Sequence, residues 1–312
     1  AYLVLPMPND SIYAVMLGNL DVTASNGDWV VNSETIVAKR SDVSFTFNVG
    51  DESDVIEGYT NMLSFSIGEK FPFELIGQVP QFPTNATNKI YTFEIGFDEK
   101  ITLESEIGSI VVKDGETTLI TSPEGIVTNA SGNTVATITI DEESYPGAKI
   151  LNINFNTDYL TSLEVSVEGE ASLTDQDLIG EGNEFPIQLK YSNDPYGTET
   201  ITKYARGILY TFGLNILKYD AADGTPTEPP LDTPLANAVF DIYSDKELKN
   251  KVGTVTTGED GIATFDGLKY GTYYVKETKA PTGYQLVEDP IEVKVGDNDG
   301  VDTYGGAPPS YS

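Results

Sequence analysis

Alternation with a period of two limits what this chain can become. Residues 43–49 (VSFTFNV), 134–140 (TVATITI) and 150–155 (ILNINF) place large apolar side chains at every second position. Residues 163–167 (LEVSV), 187–191 (IQLKY) and 291–295 (IEVKV) repeat the pattern. Successive side chains of a strand point to opposite faces, so each run reads as a strand with one buried face. Turn pairs separate the runs: Asp114-Gly115, Glu124-Gly125, Ser131-Gly132, Asp260-Gly261 and Asp266-Gly267. Short strands with frequent turns argue for β-sandwiches. Helical signals are brief: 244–252 (SDKELKNKV) predicts one or two turns, and 158–163 another.

Composition narrows the chemistry. Of 312 residues, 18 are Lys or Arg and 49 are Asp or Glu, a net charge of −31. Such a charge repels phosphate backbones and anionic lipid surfaces, so nucleic-acid binding is not expected. Cysteine is absent, which removes disulfides, thiol nucleophiles and Cys-ligated zinc. Histidine is absent too, which removes a Ser–His–Asp triad and the commonest metal ligand. Hydrophobic residues at 39% and 18 Tyr are enough to fill cores, so the acidity does not mean disorder. No apolar run approaches the roughly 20 residues of a membrane helix, so no membrane insertion is expected. The opening residues 1–6 (AYLVLP) carry no positive charge, so no signal peptide is read there. A Cys-free, acidic chain rich in Tyr and Thr leans towards a bacterial surface.

The length predicts two domains. Residues 1–38 hold about two strands, too few for a core of their own, and read as the remnant of a preceding domain or as added strands. Two domains, 39–213 and 214–312, follow. No long flexible linker separates them around 205–213 (ARGILYTFG), so the joint should be stiff. The Pro-rich stretch 223–234 (DGTPTEPPLDTP) reads as an exposed loop of the second domain.

The last hundred residues are the most specific part. The segments 214–220 (LNILKYD), 235–243 (LANAVFDIY), 260–268 (DGIATFDGL) and 271–284 (GTYYVKETKAPTGY) resemble the CnaB-type, prealbumin-like sandwich of Gram-positive sortase-assembled pilins. The ETKAPTGY element is similar to that family's E-box. Residues 66–80 (SIGEKFPFELIGQVP), 190–195 (KYSNDP) and 210–214 (YTFGL) resemble the CnaA-like middle domain of the same pilins. The resemblance implies an all-β chain of tandem immunoglobulin-like sandwiches in an elongated rod. It implies a structural subunit of a cell-wall-anchored extracellular pilus rather than an enzyme, with no cofactor. The partners implied are other pilin subunits, joined covalently by a sortase. The alternative is an accessory or tip adhesin that binds a host-surface ligand through its first domain.

In this family a strand lysine attacks an asparagine side-chain amide, ammonia leaves, and an isopeptide bond remains, with a glutamate assisting. By motif, Lys218 is the nucleophile and Glu277 the helper. Period two puts Leu214, Ile216 and Lys218 on one face, so the lysine shares the apolar side. The family acceptor lies in a final strand; the tail 296–312 offers one Asn, Asn298, in a turn-like context, so the acceptor is not identified. In the first domain the usual lysine position falls on Phe47 and the usual aspartate on Ile95, leaving the acceptor-like Asn193. Losing both partners together avoids a lone buried charge, so the cross-link there is expected to be lost. Glu94 has the wrong strand parity to replace Ile95, and Asp98 reads as turn. The lysine of inter-subunit linkage lies in a motif like VYPK, and Val37-Ala38-Lys39 occupies its place, which makes Lys39 the candidate. The acidic run 297–302 (DNDGVD) lacks the spacing and closing Glu of an EF-hand and reads as a solvated turn, so no metal is expected.

Overall fold

The computed structural model describes residues 43–56, 62–144, 148–174, 179–194, 196–220 and 233–296 with their side chains, and the backbone of strands within residues 2–42. Among these residues the regular structure is strand, with three single 3-10 turns and no α-helix.

Two sheets enclose the larger core. In one, the strands Ile120–Thr121, Ile126–Thr128, Thr134–Asp141, Lys149–Phe155, Tyr91–Phe97, Asn183–Ser192, Thr200–Tyr210 and Met62–Ser64 lie side by side in that order. Its last pairing, Met62–Ser64 on Thr200–Tyr210, is parallel. The facing sheet runs Thr117–Thr118, Val111–Asp114, Glu164–Leu173, Lys70–Gln78 and Phe45–Val49, and Ile101–Leu103 also pairs with Glu164–Leu173. Alternation drives the packing: Phe71, Phe73 and Leu75 of one sheet and Phe93, Ile95, Phe185 and Ile187 of the other are fully buried. The Phe185 ring meets those of Phe47, Phe71, Phe73 and Phe97 at centroid distances from 5.2 to 6.4 Å.

A second cluster of buried residues lies between Phe212–Leu217 paired with Ile262–Leu268, and the sheet Lys251–Thr256, Val239–Tyr243, Gly271–Lys279 and Ile291–Val295. Leu214, Phe240, Ile242, Leu268, Val275 and Val295 fill it. The Phe265 ring packs directly on Gly253, where a Cβ would lie 2.1 Å from it. Only glycine lets the ring approach so closely.

No linker separates the two clusters. The strand Thr200–Tyr210 runs through Thr211 into Phe212–Leu217, and Tyr210, Thr211 and Phe212 are all buried. The turn at Lys269 docks against Asp54 and residues 64–69. The backbone N–H groups of Lys269 and Tyr270 donate to the hydroxyls of Ser66 and Ser64 at 3.1 and 2.8 Å. The Ile67 N–H donates to the Gly267 carbonyl at 2.9 Å. The Lys269 ammonium pairs with Asp54, lies 3.7 Å from Glu69 and sits 5.7 Å over the Phe65 ring. Gly267 has φ +84° and would bring a Cβ within 2.8 Å of Ile67, so the contact needs glycine on both counts.

Three expectations are corrected. Residues 244–252 are not helical: a turn leads into the strand Lys251–Thr256. There the Asp245 carboxylate accepts the N–H groups of Lys249 and Asn250, and Leu248 adopts φ 55°, so side-chain capping supports a turn instead. Residues 158–163 give a single 3-10 turn, Thr157–Tyr159. The described residues among the first 38 hold five short strands rather than two, and Arg40–Asp42 pairs with one of them, Ser11–Tyr13. Most of the Pro-rich stretch 223–234 lies outside the described residues, while Thr233–Pro234 pairs with Tyr219–Asp220.

Candidate functional site

The strand Phe212–Leu217 turns its Leu214 and Ile216 towards the second core and leaves Leu217 exposed. Lys218 follows at the break before Tyr219–Asp220. Its backbone is held on both sides: its N–H donates to the Gly261 carbonyl at 2.8 Å, and its carbonyl accepts from the Leu235 N–H at 2.9 Å. The side chain is 18% exposed. In the facing sheet, Gly271–Lys279 alternates so that Tyr273, Val275 and Glu277 point inward. Glu277 is 2% exposed, although its neighbours on that face are apolar. A carboxyl group this deeply buried needs a compensating partner. The Lys218 Nζ lies 3.1 Å from its Oε1. The ammonium is off the hydrogen-bonding direction, so Oε1 has an ion-pair partner and no hydrogen bond. Oε2 accepts the backbone N–H of Val287 at 2.8 Å.

Val287 belongs to the segment 280–290, which joins Gly271–Lys279 to Ile291–Val295. The Tyr284 hydroxyl donates to the Asp220 carboxylate at 2.9 Å, two residues past Lys218. That bond, together with burial and the Asp220 charge, raises the Tyr284 phenol above its ordinary pKa. The sequence places Lys218 from motif and parity and Glu277 from motif, and the structure brings them together. Val287 and Asp220 carry no sequence signal, because a backbone donor and a half-buried carboxylate look like any other. Tyr284 stands in the E-box-like element, but its hydroxyl contact is visible only in three dimensions.

The remaining residues lie elsewhere. Asn298 and Lys39 fall outside the described residues. Phe47 packs edge-on against Phe185, with ring centroids 5.2 Å apart, and Ile95 is fully buried beside Ile187. Asn193 does not join them. It follows the strand Asn183–Ser192 at the end away from Phe185, about 26 Å further along at the usual strand rise. Glu94 points to the opposite face from Ile95, and the Asp98 carboxylate caps a turn by accepting the N–H groups of Lys100 and Ile101. Among the described residues, no group of three or more Asp or Glu side chains is arranged to hold a metal, and no helix is long and apolar enough to cross a membrane.

Two stacked all-β cores, the second carrying a buried Lys–Glu pair, have the fold of Gram-positive major pilins. Residues 213–305 match the family described as SpaA: Prealbumin-like fold domain. Over 277 residues the chain is 27% identical to the trypsin-resistant surface T6 protein of Streptococcus pyogenes serotype M6, covering 83% of this chain and 47% of that protein. It thus spans about half the length of the curated relative it matches. The solved T6 backbone pilin of serotype M6 Streptococcus pyogenes, a modular three-domain structure, superposes with a TM-score of 0.71 at 23% identity, covering 92% of this chain and 59% of that one. The Corynebacterium diphtheriae major pilin SpaA, described as having stabilizing isopeptide bonds, superposes with a TM-score of 0.58 at 15% identity, covering 92% and 73%.

Proposed function

We propose that the chain is a structural subunit of a sortase-assembled pilus, displayed on a Gram-positive cell wall and joined covalently to other subunits. The observation that carries this reading is the Lys218–Glu277 pair, 3.1 Å apart inside a prealbumin-like sandwich. Moving one proton from the ammonium to the carboxylate would leave a neutral amine and a neutral acid in place. The amine then attacks an asparagine side-chain carbon and the new C–N bond forms; ammonia leaves with the proton that the acid supplies, and the carboxylate takes back the surplus proton from the attacking nitrogen. The acceptor is unassigned. The segments 39–213 and 214–312 act as the two domains of this part of the subunit, with 1–38 belonging to what precedes them. In the first, Phe47 and Ile95 replace a reacting pair with packed apolar groups, so that domain carries no cross-link. Lys39 is the lysine of inter-subunit linkage.

Intact mass of the full natural chain tests the reaction. One ammonia below the sequence mass is expected, whereas Lys218→Ala and Glu277→Ala should each show the full mass of their own sequence. An unshifted natural chain overturns the Lys218 assignment, and a loss of two overturns the reading of Phe47 and Ile95. In the native host, Lys39→Ala should abolish the ladder of high-molecular-weight polymers; a normal ladder refutes its role.

A further inference from the structure

The segment 280–290 crosses over the Lys218–Glu277 pair and is fastened on both sides of it. Tyr284 holds the lysine side through Asp220, and Val287 holds the glutamate side through its N–H. Among the described residues little else secures it. Residues 282–289 are exposed without interruption, Leu286 at 43% and Val287 at 41%. The apolar anchor lies at Pro281, where a turn closes by the Tyr284 N–H donating to the Pro281 carbonyl at 3.1 Å. A strap with so little apolar burial is positioned by its polar tethers.

The tether on Glu277 has a directional effect. The terminal torsion of a glutamate is broad and close to two-fold, so the carboxyl plane turns easily when nothing holds it. The Val287 N–H fixes Oε2 at 2.8 Å and thereby presents Oε1 to Lys218. Val287 can donate there only while the strap stays down, and the Tyr284–Asp220 bond lies three residues away from it along the strap.

We infer that Tyr284 and Asp220 are positioning residues: by tying down the strap they hold the Val287 N–H on Glu277 and aim its other oxygen at Lys218. Neither touches the reacting atoms. The role deepens the cross-linking reading and rests on it for its purpose, but the strap geometry can be tested alone.

The test is amide hydrogen exchange at Val287, together with the carbon-13 shift of the Glu277 carboxyl and its pH profile. Tyr284→Phe removes one oxygen and should speed Val287 exchange about five-fold, the net scale of one ordinary hydrogen bond. The Glu277 carboxyl shift should move with it, while amides of Gly271–Lys279 paired with Ile291–Val295 keep their protection. Asp220→Ala should do the same, and Asp220→Asn, which can still accept from the phenol, should restore both signals. Unchanged Val287 exchange and an unchanged Glu277 profile in Tyr284→Phe overturn the proposal. So does an Asp220→Asn that behaves like Asp220→Ala. If the ammonia loss is found but the Val287 signals do not respond, the strap role alone falls. If the Val287 signals respond and no ammonia is lost, the strap orients an ion pair and the cross-linking reading falls. In a chain that does cross-link, Tyr284→Phe should slow the ammonia loss roughly ten-fold, with one ammonia still lost at completion.

Discussion

Buried polar atoms decide most of the residue-scale energetics. The Tyr91 hydroxyl lies among Phe93, Phe155 and Gly77 with no hydrogen-bond partner, and burial pushes its phenol well above the ordinary value. Tyr91→Phe should therefore raise stability by about 1 kcal/mol, read from urea denaturation, since it removes an unsatisfied group without opening a cavity. Tyr273 differs in having a partner: its hydroxyl donates to the Lys269 carbonyl at 3.0 Å. Burial raises its phenol to about 12, with the Glu69 charge adding to the rise. The unfolded chain loses that proton near pH 10, whereas the folded chain keeps it. Stability from this group is thus complete below about pH 10 and lost as pH climbs towards 12, by about 2–3 kcal/mol in all. Denaturation midpoints across that window should fall less steeply in Tyr273→Phe. At this scale, parity in a period-two strand is enough to give Lys218 its inward face, because it needs no knowledge of the partner strand. The strap contacts follow from how loops close over the sheet, and no local pattern encodes that.

Elements were legible wherever alternation ran uninterrupted. The strand Ile291–Val295 lies where the pattern puts it, and Lys149–Phe155 differs by one residue. The strand Asn183–Ser192 begins earlier than its alternation suggests because Pro186 breaks the pattern. The structure accommodates Pro186 where pairing with Tyr91–Phe97 has already ended at Ile187, so its missing N–H is not needed on that side. The turn at 244–250 was misread as helix for the opposite reason: Lys, Glu and Leu favour a helix locally, and Asp245 overrides them by capping. A similar carboxylate fastens a loop in the first sandwich. Asp114, 6% exposed at the end of Val111–Asp114, accepts the N–H and hydroxyl of Thr161 and the N–H of Ser162, all within 2.8 Å. Asp114→Ala should lower stability by about 2–4 kcal/mol, with exchange protection at residues 161 and 162 lost first. Wild-type protection there would show that the loop is held by packing alone.

Across the whole molecule the joint is the feature with most leverage. Burial alone would lower the Lys269 pKa, but its bond to Asp54 and the charges of Glu69 and Asp51 outweigh this and hold it above the ordinary value. Lys269→Met should cost about 1–3 kcal/mol, less than a fully buried pair because both groups retain some solvent contact. It should also split a single thermal transition into two, and Asp54→Asn in the same chain should recover part of the loss. A single unshifted transition in Lys269→Met would show that the cores are coupled without this contact. The continuous run from Thr200–Tyr210 into Phe212–Leu217 has a mechanical consequence. A pull along the chain enters each sandwich parallel to the strand axis, while the ladder bonds to Asn183–Ser192 and Ile262–Leu268 stand across it. Those bonds are loaded together in shear instead of opening one after another, so the joint should yield abruptly and at high force.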